Sequence, residues 1–249
     1  VSRPETLVHP GGDVLAAAVA ARLITAIADA QTVRGSASVV LTGGRTGIGV
    51  LEQVRQSPAL SAVEWSAVDV FWGDERFLPA DDGERNEVQA RQALLDHVGV
   101  DPSRVHPMAP SDGEFGSDAD AAAAHYAELL AGLAPAGASV PSFDVLMLGV
   151  GEEGHTASLF PGTPYVREES RTVVGVHDCP KPPPTRISLT LPAIGAASEV
   201  WLMTTGEAKA EPVAAALNGA KPVDIPAAGA VGRDRTLWLL DTAAASALR

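Results

Sequence analysis

The chain has 249 residues, 46% of them hydrophobic, enough to bury a full core in one large α/β domain; 18 Lys and Arg stand against 31 Asp and Glu, a formal charge of -13. That acidic balance argues against nucleic acid or an anionic membrane surface as the main partner, while leaving room for an anionic small molecule wherever cations are gathered locally. The single cysteine, Cys179, excludes an internal disulfide framework and points to a reducing compartment; beside Pro180, with no acid or histidine placed to activate it, it reads as structural.

No apolar run reaches the length of a bilayer span, and residues 1–5 lack the basic-then-apolar pattern of a secretory leader. The expectation is a soluble, cytoplasmic chain forming a single domain over residues 1–249. Residues 13–30 are alanine-rich with Leu15, Val19, Leu23 and Ile27 near helical spacing, a predicted amphipathic helix with Asp13 at its start. Residues 38–42 read as a buried strand that runs into Gly43-Gly44-Arg45-Thr46-Gly47, with a helix predicted over 48–55. A strand, a glycine loop and a helix N-terminus together make an anion site, because unpaired N–H groups point outward and the helix dipole favours negative charge.

A second strand, 68–72, ends in Gly73-Asp74-Glu75-Arg76 and a polar loop; the pattern turns helical from about Glu84 to Leu95. The charged run is either a solvated salt-bridge cluster or a ligand-facing Arg76, with Asp74 and Glu75 orienting that arginine or a histidine. Residues 105–108 suggest an edge strand, and 117–133 a helix capped by Ser117 or Asp118.

The central stretch is a buried strand followed by Gly149-Val150-Gly151-Glu152-Glu153-Gly154-His155-Thr156-Ala157-Ser158-Leu159-Phe160-Pro161-Gly162. Its glycines fit the G-x-G-x-x-G spacing of a dinucleotide fingerprint, but Pro161-Gly162 stops any long helix, and Glu152 and Glu153 would repel a pyrophosphate. The better reading is a sharp backbone bend that carries His155 into a pocket at the strand's C-terminal end. Farther on, 172–176, 186–191, 199–205 and 235–241 read as strands. The stretch 180–184, with four prolines, must be extended. Lys209 sits in the first turn of a helix, where a cation gains nothing from the dipole unless an anion is held there. An alanine-rich helix is expected to close the chain.

Together, Leu41-Thr42-Gly43-Gly44, Trp72-Gly73-Asp74-Glu75-Arg76 with Asn86 downstream, residues 154–162, Arg186-Ile187-Ser188-Leu189-Thr190, and Gly206 with Lys209 resemble the 6-phosphogluconolactonase members of the glucosamine-6-phosphate isomerase/6-phosphogluconolactonase family, the actinobacterial ones above all. Arg45 and Arg85 stand where that pattern usually carries serines. The resemblance implies a doubly wound, mostly parallel twisted sheet with helices on both faces, which the order of predicted elements also suits. It further implies hydrolysis of 6-phosphoglucono-δ-lactone to 6-phosphogluconate in the oxidative pentose phosphate pathway, with no metal or organic cofactor, by a monomer or weak homodimer.

A lactone is an ester: its hydrolysis needs an activated water, a stabilised carbonyl oxygen and a proton for the departing ring oxygen. Imidazole suits both proton steps, so His155 is assigned as general base and then acid, with Asp74 and Arg76 completing the catalytic set. Gly43, Gly44, Thr46, Arg76, Arg186 and Lys209 are assigned to the substrate. Ser158 could form a covalent intermediate, but no G-x-S-x-G elbow frames it, and direct water attack ranks ahead. The alternatives are an amino-sugar-phosphate deaminase or isomerase on the same fold, and a non-catalytic sugar-phosphate sensor, for which a basic DNA-reading segment is missing.

Overall fold

A computed structural model of the chain describes residues 3–248. Six parallel strands make the central sheet: β1 (Glu5–His9), β2 (Ala37–Leu41), β3 (Val68–Trp72), β5 (Val145–Gly149), β8 (Glu199–Thr204) and β9 (Arg235–Asp241), in the spatial order β1-β9-β8-β5-β2-β3. Three others, β4 (Asp74–Arg76), β6 (Val173–Val176) and β7 (Arg186–Leu189), form a separate antiparallel sheet in the order β4-β7-β6. The helices are α1 (Gly12–Arg34), α2 (Gly44–Gln56), α3 (Asn86–Ala93), α4 (Ala119–Leu133), the single turn α5 (Leu191–Ile194) and α6 (Ala210–Leu217).

Apart from the edge strand β1, the strands are buried on both faces, as a parallel sheet requires, and alternate residues feed two cores. Val39, Leu41, Val70, Trp72, Met147, Trp201 and Leu239 pack with α1, α2 and α3 on one side. Val40, Phe71, Leu146, Leu148, Leu202, Trp238 and Leu240 pack with α4, α6 and the small sheet on the other. This is the expected doubly wound layering, with the antiparallel sheet as an addition on one face.

The chain order reverses direction between β2 and β5: β2 leads outward to β3, whereas β5 leads the other way through β8 and β9. In open α/β sheets a crevice forms at such a switch, outside the carboxyl ends of the strands. Here the two strands pair at only two positions, Val39 with Val145 and Val40 with Leu146, against five on the outer side of each. They part as they approach their carboxyl ends.

Several boundaries differ from the sequence reading. Helix α1 runs one turn past Ala30 because Gln31 exchanges hydrogen bonds with the backbone of Glu64, its Nε2 donating to the carbonyl at 2.7 Å and its Oε1 accepting from the amide at 3.0 Å. Helix α2 starts at Gly44 rather than residue 48, so Arg45 and Thr46 lie in its first turn. The loop expected after residue 73 contains strand β4, and the edge strand at 105–108 reduces to one bridge from Val105 to Val70. Residues 242–247 form turns instead of a helix, with Asp241 Oδ1 accepting from Ala244 N at 2.7 Å. Strand β1 was not anticipated; it completes the sheet by pairing with β9.

Phe71 lies at the centre of one core, stacked on His106 at 4.5 Å between ring centroids and edge-on to Phe143 at 5.2 Å. Phe71→Ala should cost about 3–5 kcal/mol in urea unfolding. A loss below about 1 kcal/mol would contradict this account of the core.

Candidate active site

The crevice at the switch point opens into a cavity of about 540 Å³. It is walled by the turn after β2 and the first turn of α2, by β4, by the loop after β5, by Lys181 and Arg186, and by the segment 205–209 after β8. All eight residues assigned from sequence, Gly43, Gly44, Thr46, Asp74, Arg76, His155, Arg186 and Lys209, line this one space.

Two glycines are fixed by close approach. A Cβ on Gly151 would fall 2.0 Å from His155 Nδ1, and one on Gly43 would fall 1.9 Å from Asn86 Oδ1. The loop after β5 folds back on itself, Gly151 N donating to the His155 carbonyl at 2.9 Å, and the imidazole stacks on Phe160 at 4.3 Å. Nδ1 is buried and 3.1 Å from Glu153 Oε2, a close contact whose alignment falls short of a hydrogen bond. With Nδ1 turned inward, Nε2 is the nitrogen left for the cavity. Burial holds the His155 pKa below its ordinary value, while the Glu153 carboxylate opposes that shift. The imidazole is therefore neutral at neutral pH, the form a general base needs.

Asp74 and Glu75 are both buried, so the reading of a solvated charge cluster does not hold here. Asp74 Oδ2 accepts from Ser158 Oγ at 2.7 Å, and the Asp74 carbonyl accepts from Asn86 Nδ2 at 2.8 Å. Ser158 is itself fully buried; its hydroxyl orients a carboxylate instead of presenting a nucleophile. Glu75 faces away, receiving the backbone amides of Arg76, Asn86 and Glu87 at 2.7, 2.7 and 2.9 Å, and so caps α3.

Pairing of β4 with β7 sets Arg76 directly opposite Arg186. Like charges facing each other across strands are unfavourable unless something compensates. For Arg186 the compensation is internal, since Nε donates to the Pro183 carbonyl at 3.2 Å and Nη2 to the carbonyls of Lys181 and Pro182 at 3.1 and 3.0 Å. Only Nη1 is left over. Arg76 donates to the Glu84 carbonyl at 2.6 Å and is half-buried at the cavity wall. Altogether five cations, Arg45, Arg76, Lys181, Arg186 and Lys209, line the cavity against three carboxylates, Asp74, Glu152 and Glu207. In a protein of charge -13 this is a local positive pocket.

The profile described as glucosamine-6-phosphate isomerases/6-phosphogluconolactonase matches residues 10–238. The chain belongs to that family. It is 63% identical to a 6-phosphogluconolactonase of Streptomyces coelicolor over 98% of this chain and 95% of that one, and 55% identical to one of Mycobacterium tuberculosis over 97% of each. Among solved structures, the 6-phosphogluconolactonase of Trypanosoma brucei superposes with a TM-score of 0.86 at 29% identity, covering 100% of both chains. A monomeric glucosamine-6-phosphate deaminase, at 22% identity and a TM-score of 0.80 over 98% of this chain and 99% of that one, shares the fold.

The family resemblance pointed to Asn86 without giving it a role, and it missed Lys181, Thr205 and Glu153. Asn86 Oδ1 is a buried acceptor without a partner, and the residue lines the cavity. Lys181 Nζ binds Glu153 Oε2 at 2.9 Å, so one carboxylate ties a cation to the histidine loop. A lysine flanked by prolines was the signal available for Lys181, but the segment is not extended as expected: residues 180–184 are bent, and Cys179 N donates to the Pro184 carbonyl at 2.9 Å. Thr205 Oγ1 lies 3.3 Å from Thr46 Oγ1 and joins the first turn of α2 to the end of β8. No cluster of three His, Cys, Asp or Glu suited to a metal ion occurs among the described residues.

The His155 environment has a measurable consequence. Followed by NMR, its imidazole should titrate with a midpoint below 6.5, its ordinary value. Glu153→Gln should lower that midpoint further, because the carboxylate favours the charged ring. A midpoint that rises in the variant would reverse the assigned electrostatics.

Proposed function

We propose that this protein is a 6-phosphogluconolactonase that hydrolyses 6-phospho-D-glucono-1,5-lactone to 6-phospho-D-gluconate in the oxidative pentose phosphate pathway, a cytoplasmic enzyme working with no metal or organic cofactor. The observation that carries the reading is a neutral, half-buried His155 in one cavity with unengaged cations, in a chain 63% identical to a protein of that name. The deaminase alternative draws on the family profile, which covers both activities, and on a shared fold at 22% identity, while the relatives of high identity carry the lactonase name.

In this reading the phosphate sits at the N-terminus of α2, against Gly43, Gly44, Thr46 and Lys209, and the lactone carbonyl lies near His155. Neutral Nε2 takes a proton from water as its oxygen attacks the carbonyl carbon, and Arg76 offsets the charge gathering on the carbonyl oxygen. The carbon to ring-oxygen bond then breaks, and the imidazolium returns its proton to the departing alkoxide. Asp74, held by Ser158 and bonded through its carbonyl to Asn86, supplies a fixed negative charge that stabilises the transient imidazolium. Arg186 contributes chiefly by pinning the 181–183 segment, and the remote phosphate fixes the ring so that its reacting carbon stays over the histidine.

His155→Ala should lower kcat on freshly prepared lactone by roughly 10²–10⁴-fold, measured as acid release at constant pH. Near-wild-type turnover would remove His155 from the role of base. Lys209→Ala should raise KM for the phosphorylated lactone with a smaller change in kcat; an unchanged KM would contradict a phosphate at that helix end.

A further inference from the structure

The five cavity cations divide by what already holds them. Arg186 is spent on three carbonyls, Lys181 on Glu153, and Arg76 on the Glu84 carbonyl. The side chains of Arg45 and Lys209 make no hydrogen bond or ion pair among the described residues, although the Lys209 amide donates to the Gly206 carbonyl at 3.2 Å. Arg45 occupies the first turn of α2, where the helix dipole is positive and no acidic side chain is present to offset it. It is exposed, and it stands at the lip between the main cavity and a second hollow of about 520 Å³ that lies between α2 and α3.

Resting on the lactonase reading, we infer that Arg45 is a specificity-determining residue, the second free cation of the phosphate subsite, which with Lys209 selects a phosphate monoester dianion over an uncharged sugar lactone. The cations repel one another when the cavity is empty: burial, then Lys181 and Arg45, hold the Lys209 pKa below its ordinary value, against the pull of Glu152 and Asp241. Glu152 offsets part of the charge on Lys209, but two cations and a helix N-terminus lining one cavity still favour a multiply charged anion. A guanidinium adds two parallel donors matched to phosphate oxygens, which a small hydroxyl side chain in its place could not supply. The Thr46–Thr205 contact fixes the distance between the two sides, so the anion bridges elements already held in register.

The test compares kcat/KM on 6-phosphoglucono-δ-lactone with that on unphosphorylated glucono-δ-lactone, for wild type, Arg45→Ser and Arg45→Lys. The ratio of the two should fall about tenfold in the serine variant, the size of one partly exposed charge-assisted hydrogen bond, with the loss carried by KM; lysine should recover part of it. An unchanged ratio in Arg45→Ser, with a wild-type enzyme active on the phosphorylated lactone, overturns the inference alone. So does an equal loss on both substrates. A wild-type protein that fails to open the phosphorylated lactone sinks the functional reading and the inference with it.

Discussion

The site depends on how little β2 and β5 hold on to each other. A parallel pair that continued to the strand ends would close the sheet and leave no room at its carboxyl edge. Because pairing stops at Val40 and Leu146, the turn after β2 and the loop after β5 separate, and each can deliver different chemistry to the gap. The β2 side brings backbone N–H groups and a helix N-terminus, which suit an anion. The β5 side brings the histidine. The outer pairings, β2 with β3 and β5 with β8, run their full length and hold the two halves rigid, so the gap is a fixed feature of the topology.

Electrostatics then sorts the gap into two ends. Around His155 the charges are mostly paired: Glu153 lies between Lys181 and the imidazole, and Asp74 is held by Ser158. At the α2 end the cations are left open. A proton-transfer group needs a pKa set by fixed neighbours, whereas an anion subsite needs charge without a resident partner. Asp241 extends this arrangement from the far side of the sheet: its carboxylate accepts from Gly206 N at 3.1 and 3.2 Å and from Ala244 N, tying the segment that carries Lys209 to the end of β9.

Much of this was legible in the chain. Strands buried on both faces announce themselves as short apolar runs, and glycine turns after strands mark where the backbone must bend, so the parallel sheet, the helix N-terminus and His155 could all be placed. Local pattern was silent where the determinant is a contact distant in sequence. Arg186 reads as a free cation beside a strand, and only the folded 181–183 segment shows its guanidinium taken up by carbonyls. Glu75 reads as part of a solvated charge run, yet it is capped over by an amide from its own strand and two from α3, ten or more residues away. The alanines after residue 241 carry helical propensity, yet the Asp241 carboxylate takes up the Ala244 amide and the segment turns instead.

Glu75 also shows why the wall bearing Arg76 and Asn86 can be both charged and rigid. Burial pushes its pKa up to about 7, against the pull of Arg85 and of three backbone N–H donors. Arg85 is fully buried, 3.8 Å from Glu75 and 3.1 Å from Glu87, and donates to the Met108 carbonyl at 2.8 Å. With the folded-state value above the ordinary 4.5, the folded chain holds this proton more tightly. The stability gained from that group is present below pH 4.5 and lost as pH rises through about 7. In its ionised form Glu75 accepts from the amides of Arg76, Asn86 and Glu87 together, with Arg85 3.8 Å away. Removing either partner alone would strand a buried charge. Arg85 is therefore a buried support for the wall that carries Arg76 and Asn86.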